Sequence, residues 1–156
     1  VGARLTHVKP HGALYHMAEH QPDIADALVD AIAAVDRSLR VVGLADGALV
    51  GAAEEAGMRA GNEAFIDRRY RHDGGLVPRG EDGAVIDDPQ QALAQALELV
   101  RAGRAPLSDG GHVEVRADTL CIHGDRHDAG AFARRIHEGL RDAGVELRAP
   151  KRHLNQ

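Results

Sequence analysis

Tryptophan is absent, tyrosine and phenylalanine occur twice each, and aromatic residues make up 3% of the chain. Nucleic-acid surfaces built on stacked bases need more rings than this. The formal charge of −5, with no block of basic residues, excludes an electrostatic footprint for nucleic acid as well. Ser38 and Ser108 are the only serines, and neither lies in a nucleophile elbow, which removes serine hydrolases of that type. Cys121 is the single cysteine. No intramolecular disulfide can form, which fits a reducing cytoplasm. No apolar run approaches the ~18 residues of a membrane helix, and no charged segment leads into a short apolar one as in a secretory leader. The expectation is a soluble cytoplasmic protein with no membrane and no nucleic-acid partner. Lysine is scarce too. Lys9 and Lys151 stand against 17 arginines.

What remains is ordinary for a globular chain: 156 residues and 44% hydrophobic content, enough for one domain with a core of Ala, Val, Leu and Ile. Val1 stands where a start methionine would, which suggests a fragment end. Short β-like runs alternate with helical patterns. Residues 5–8 (LTHV), 39–44 (LRVVGL), 62–67 (NEAFID), 112–117 (HVEVRA), 119–125 (TLCIHGD) and 145–149 (VELRA) read as strands. Residues 22–36 place apolar side chains at helical spacing behind Pro22, which suits a first turn. Residues 47–57 read as a small-residue helix stopped by Gly57, 88–103 as a helix with an Asp cap and a Gly stop, and 128–144 as an amphipathic helix. The polar, glycine-rich stretch 68–88 is too long for a minimal connector and reads as a functional flap. Strand–helix alternation predicts an α/β fold with parallel strands, either a small open sheet or part of a (β/α) barrel.

Three strands end in titratable groups on one face and apolar groups on the other. Alternation puts His7 and Lys9 on one face, and His11 continues it if the chain stays extended through Pro10. In TLCIHGD, Cys121, His123 and Asp125 share a face. In NEAFID, Glu63, Phe65 and Asp67 do. Barrel enzymes collect their functional groups at such strand ends. Bland readings exist for each: a core histidine for His7, a solvated strand start for Glu63, a helix cap for Asp125 in competition with Asp128, surface charge for Arg68, Arg69 and Arg71. His16, His20, His72, His127, His137 and His153 lie in polar settings and read as surface residues. Lys9 resists such a reading, because an amine differs from a guanidinium in size, donor geometry and tunable pKa. Lys9, Asp67 and His123 are expected to face a common cavity from neighbouring strands. For a metal, His7, His11 and His123 are the candidates, but no HExxH or paired-cysteine pattern supports them. No GxxxxGK(S/T) phosphate loop occurs.

Taken together, HVKPHGALY (7–15), EAFIDRRY (63–70) with DGGLVPRG (73–80), and TLCIHGD (119–125) resemble the successive signatures of the LamB/YcsF family, the A-type subunits of 5-oxoprolinase. The resemblance implies a partial TIM-like (β/α) barrel of the glycoside hydrolase/deacetylase type. It implies ATP-dependent opening of 5-oxo-L-proline to L-glutamate in a complex with subunits B and C, with ATP bound by this chain or by those partners. By motif, Lys9, His123, Asp125 and Asp67 would be catalytic, and His11, Arg68, Tyr70 and Arg79 substrate-binding. Lys9 would hold an anion or stabilise an oxyanion. His123, oriented by Asp125 or Asp67, would be a general base, and Arg79 on the flap would clamp the substrate anion.

The chain departs from that pattern. The opening acidic motif of the DLNCDxGE kind, the histidine-bearing segment and the AHPGYPD-like segment are missing, so residues 1–156 read as a single domain comprising the C-terminal two-thirds of such a barrel. His16 stands where the family has Asn, and Arg126 gives GDR where the family has GDN or GDT. A barrel without its first strands exposes sheet edges. Such a chain is expected to be poorly stable alone, homo-oligomeric, or completed by another polypeptide. Two other readings stay open at this point: a metal-dependent carbohydrate or acyl hydrolase on the same fold, and an inactive truncated remnant.

Overall fold

The computed structural model describes residues 4–149; Lys151 and His153 lie outside the described residues. The described residues pack as two compact units, 4–63 with 149 and 64–148.

The first unit begins with β1 (His7–Val8), α1 (Ala13–His20), α2 (Pro22–Asp36), β2 (Arg40–Leu44) and α3 (Ala48–Glu55), and holds most of β3 (Arg59–Phe65). The bounds of α2 follow from its sequence. Pro22 occupies the first turn, where its missing N–H is not needed, and Asp23 complements the positive helix end. Ala25, Val29 and Ile32 recur at i, i+4, i+7 and are buried. They join Ala18, Leu39, Val41, Leu49, Ala53 and Met58 in one core cluster. β2 is buried from Val41 to Leu44, as a parallel strand covered on both faces requires. It pairs in parallel with β1, His7 facing Arg40, and with β3, Arg40 facing Arg59 and Leu44 facing Glu63. Gly57, at φ 68°, turns the chain after α3, the stop the sequence predicts.

The second unit takes the end of β3, the segment 68–88, α4 (Pro89–Ala102), β4 (Arg104–Pro106), β5 (His112–Glu114), β6 (Thr119–Cys121) and α5 (Ala129–Asp142). The Asp88 side chain accepts the Gln90 N–H at 2.9 Å, and Gly103 closes α4 in the left-handed region, both as read from sequence. The Ile66 N–H donates to the Cys121 carbonyl at 3.2 Å, which sets β6 beside the end of β3. The sheet order is β1-β2-β3-β6, with β4-β5 a separate antiparallel pair. This order never doubles back. A doubly wound sheet reverses at a switch point, whereas a barrel advances strand by strand.

Three elements differ from the sequence expectation. Residues 13–20 form a helix, because Gly12 takes φ 60° and turns the chain instead of letting it run on extended past Pro10. β4 is hidden in the sequence by its length of three residues and by Pro106. Residues 145–149 form no strand. After Gly144 at φ 80° the chain lies along a groove with Ile66, Leu120 and Ile122, without the ladder partner that would make it one.

Candidate functional site

In the second unit the end of β3 delivers Asp67 and the end of β6 delivers His123. Asp67 is 4% exposed. Its Oδ2 accepts the His123 backbone N–H at 2.8 Å, and its carboxylate lies 3.0 and 3.1 Å from His123 Nδ1. A carboxylate only accepts, so Nδ1 carries the hydrogen and the neutral ring keeps Nε2 as its acceptor. Burial pushes the Asp67 carboxyl up, but the ring hydrogen bond, the backbone N–H and the nearby imidazole together hold it below the ordinary carboxylate value. The His123 ring stacks on Phe65, centroids 5.5 Å apart and planes 23° off parallel. The imidazole is thus fixed by an edge and by a face.

Two buried side chains secure this junction from behind. The Tyr70 hydroxyl, on a residue 2% exposed, accepts the Phe65 N–H at 2.7 Å. Gln95 of α4, 1% exposed, donates Nε2 to the Phe65 and Arg68 carbonyls, each at 2.8 Å. Arg68 is 3% exposed and donates to the Val77 carbonyl; burial, with Arg79 nearby, lowers its pKa. The flap 68–88 is pinned at its root by the antiparallel bridges Arg68–Val85 and Tyr70–Leu76.

Arg79, on that flap, donates Nη1 to Asp125 Oδ2 at 2.5 Å. The hydrogen bond and the charge of Arg79 hold the Asp125 carboxyl below its usual range. Asp125 therefore does not cap α5. Asp128 takes the cap position, but its carboxylate binds Arg126 instead of a helix amide. Asp67, Arg79, Val85, Asp87, His123, Asp125 and Arg126 line a cavity of about 160 Å³.

The first unit brings Lys9 to Glu63, Nζ to Oε1 at 2.5 Å, with side-chain exposures of 19% and 6%. Glu63 is therefore a buried ion-pair partner and no solvated strand start. The Lys9 ammonium also lies 5.7 Å from the Tyr15 ring centroid. Glu19, unread in the sequence, inserts from α1 beneath the start of α3. Its Oε1 accepts the Leu44 N–H at 3.1 Å. Burial raises its carboxyl to about 7, against the pull of the Leu44, Leu49 and Ala48 amides, and the charge of Glu63 adds to the rise. Gly47, the cap residue of α3, makes room for it: a Cβ there would lie 1.8 Å from Glu19 Oε2. His7 and His11 are both exposed. His7 Nδ1 lies 2.9 Å from the Thr6 hydroxyl. Among the described residues no group of three or more His, Cys, Asp or Glu is placed to hold a metal ion, and no helix is long and apolar enough to cross a membrane.

The fold class is α/β with a parallel sheet, consistent with part of a TIM-like barrel, and it carries a carboxylate–imidazole pair at adjacent strand ends. The chain belongs to the LamB/YcsF family, which it matches over residues 1–155. It is similar to a lactam utilization protein from Thermus thermophilus, whose crystal structure superposes with a TM-score of 0.88 at 44% sequence identity, covering 95% of this chain and 59% of that one. The chain therefore spans little more than half the length of that relative.

Proposed function

We propose that this chain acts as the A-type subunit of an ATP-dependent 5-oxoprolinase in the cytoplasm, opening 5-oxo-L-proline to L-glutamate together with subunits B and C. The observation that carries the reading is the Asp67–His123 pair, whose Nδ1–H is committed to the carboxylate and whose Nε2 stays a base beside a small polar cavity. The likeness to a lactam utilization protein supports the substrate class.

In this reading His123 Nε2 takes a proton from water as the water oxygen bonds to the lactam carbonyl carbon. The C–N bond then breaks, and the ring nitrogen takes the proton back from the imidazolium. Asp67 keeps the ring oriented and stabilises its charged form. Arg79 exchanges Asp125 for an anionic group of the substrate, and Lys9 serves as an anion-holding group beside Glu63.

ATP would supply activation of the lactam carbonyl, since a five-membered lactam is a stable amide. The residues around the cavity do not fit a nucleotide. At about 160 Å³ it is well under the ~300 Å³ of a drug-sized ligand site, and Asp67, Asp87 and Asp125 in its wall oppose a triphosphate. ATP is therefore assigned to the partner subunits.

The test is turnover of 5-oxoproline by the chain reconstituted with subunits B and C. His123→Gln is expected to lower kcat by roughly 10²- to 10⁴-fold and Lys9→Met to abolish turnover, both with unchanged far-UV circular dichroism. Full activity in either variant removes that residue from the mechanism.

A further inference from the structure

We infer that Arg126 is the fixed anchor for the substrate's carboxylate, with Arg79 as its second, exchangeable contact, and so the residue that selects carboxylated lactams over neutral ones. The inference rests on the reading above and adds a group that the motifs did not assign. Arg126 lines the same cavity as Asp67 and His123, and its guanidinium is held on three sides. Nε donates to Asp128 Oδ1 at 2.5 Å and Nη2 to Asp128 Oδ2 at 3.1 Å, a two-pronged contact. Nη2 also donates to the Asp87 carbonyl at 3.2 Å. The guanidinium carbon sits 4.1 Å from the centroid of the Phe132 ring, which is 1% exposed.

These contacts leave Nη1, whose neighbour is Asp87 Oδ1 at 4.0 Å. That is beyond hydrogen-bond reach, and the Asp87 side chain is 83% exposed, so water screens it. An incoming carboxylate competes there against a weak partner. At Arg79 it competes against a hydrogen-bonded one on a side chain 45% exposed. A guanidinium already immobilised by Asp128 and Phe132 loses little conformational freedom on binding. Among the cavity's charges, Asp67, Asp87 and Asp125 repel a substrate carboxylate, and Arg79 and Arg126 attract it.

The experiment compares 5-oxoproline with 2-pyrrolidinone, the same ring without the carboxylate. It reads kcat and KM in the complex with B and C, and direct binding of each lactam to the chain by calorimetry. Arg126→Met is expected to raise KM and the dissociation constant for 5-oxoproline roughly ten- to a hundredfold, to leave 2-pyrrolidinone unchanged, and to be partly rescued by Arg126→Lys. Asp128→Ala breaks the same contact but keeps the guanidinium. It is expected to lower the melting temperature as much as Arg126→Met with a smaller effect on 5-oxoproline. Equal losses for both lactams, or equal kinetic effects of Arg126→Met and Asp128→Ala, would overturn the inference in favour of a structural role. Absence of turnover in the wild type, with Arg126-dependent binding of 5-oxoproline intact, would sink the proposed function and leave the anchor standing. Wild-type binding that ignores the carboxylate would sink the anchor alone.

Discussion

A carboxylate buried as deeply as Asp67 stays ionised because favourable interactions outweigh its desolvation, and the three largest of them come from His123. Glu19 shows the opposite balance: it receives backbone amides, and burial wins. The sign of its pH effect follows. The folded state holds the proton up to about pH 7, whereas the unfolded chain releases it near the ordinary value of 4.5. Between those values the folded state binds more protons, so stability falls as pH rises. Glu19→Gln is expected to remove that slope and to stabilise the chain above pH 7, by roughly 3 kcal/mol at most, as read by urea denaturation at pH 5 and pH 8. An unchanged slope would mean that Glu19 does not titrate in this window. Single residues are legible in the sequence where their chemistry is rare for this chain. Lys9 stands out among arginines, and its partner Glu63 lies on a strand face already suspect. Glu19 and Gln95 give no such signal, and Arg126 stands out only as a departure from the family's GDN or GDT. Each is common on a helix or loop surface, and only packing turns Glu19 towards the amides of α3, Gln95 towards two carbonyls and Arg126 towards Phe132.

Helix boundaries are legible where the sequence carries explicit punctuation. Pro22, Asp88 and Gly103 act locally, without help from tertiary contacts. Helix α1 lacks such marks: its cap residue is Gly12, with no side-chain bond, and the extended look of Val8–Pro10 conceals the turn. Strand bounds are misread from sequence, most of them too long and β3 (Arg59–Phe65, read as 62–67) starting too late, since a ladder ends where its neighbour ends, and a sequence does not display its neighbour. Between helices, α4 and α5 approach closely at Gly139, where an added Cβ would lie 2.3 Å from Leu93 Cδ2 and 3.2 Å from its Cγ. Gly139→Ala gains about 1 kcal/mol of helix propensity and loses about 1–3 kcal/mol to overpacking, so a net loss near 1 kcal/mol is expected in chemical denaturation. In a Leu93→Ala background the same substitution is expected to stabilise. A stabilising effect in both backgrounds would show that Leu93 yields freely.

On the scale of the whole molecule, alternation of strands and helices carries the α/β class. The barrel-like order depends on β3 meeting β6, and that pairing skips the β4-β5 hairpin, so it cannot be counted off the chain. Two buried carboxylates set opposing limits on stability. Asp67, depressed in the fold, contributes stability that is present above its ordinary 3.8 and lost as pH falls through its folded value. Glu19 removes stability as pH climbs from 4.5 to about 7. The Asp67 contribution lies on the acid side and the Glu19 contribution between 4.5 and about 7, and melting temperatures across pH 3–8 should show the acid limb shrink in Asp67→Asn. An acid limb of full size in that variant would assign it to other groups. Gln95 adds a mechanical consequence. Because one amide nitrogen grips the carbonyls on either side of Asp67, α4 is coupled in series with the proton-accepting imidazole. Any push on the outer face of that helix, from a docked partner or a substitution several turns of chain away, is transmitted to the base as a change of aim.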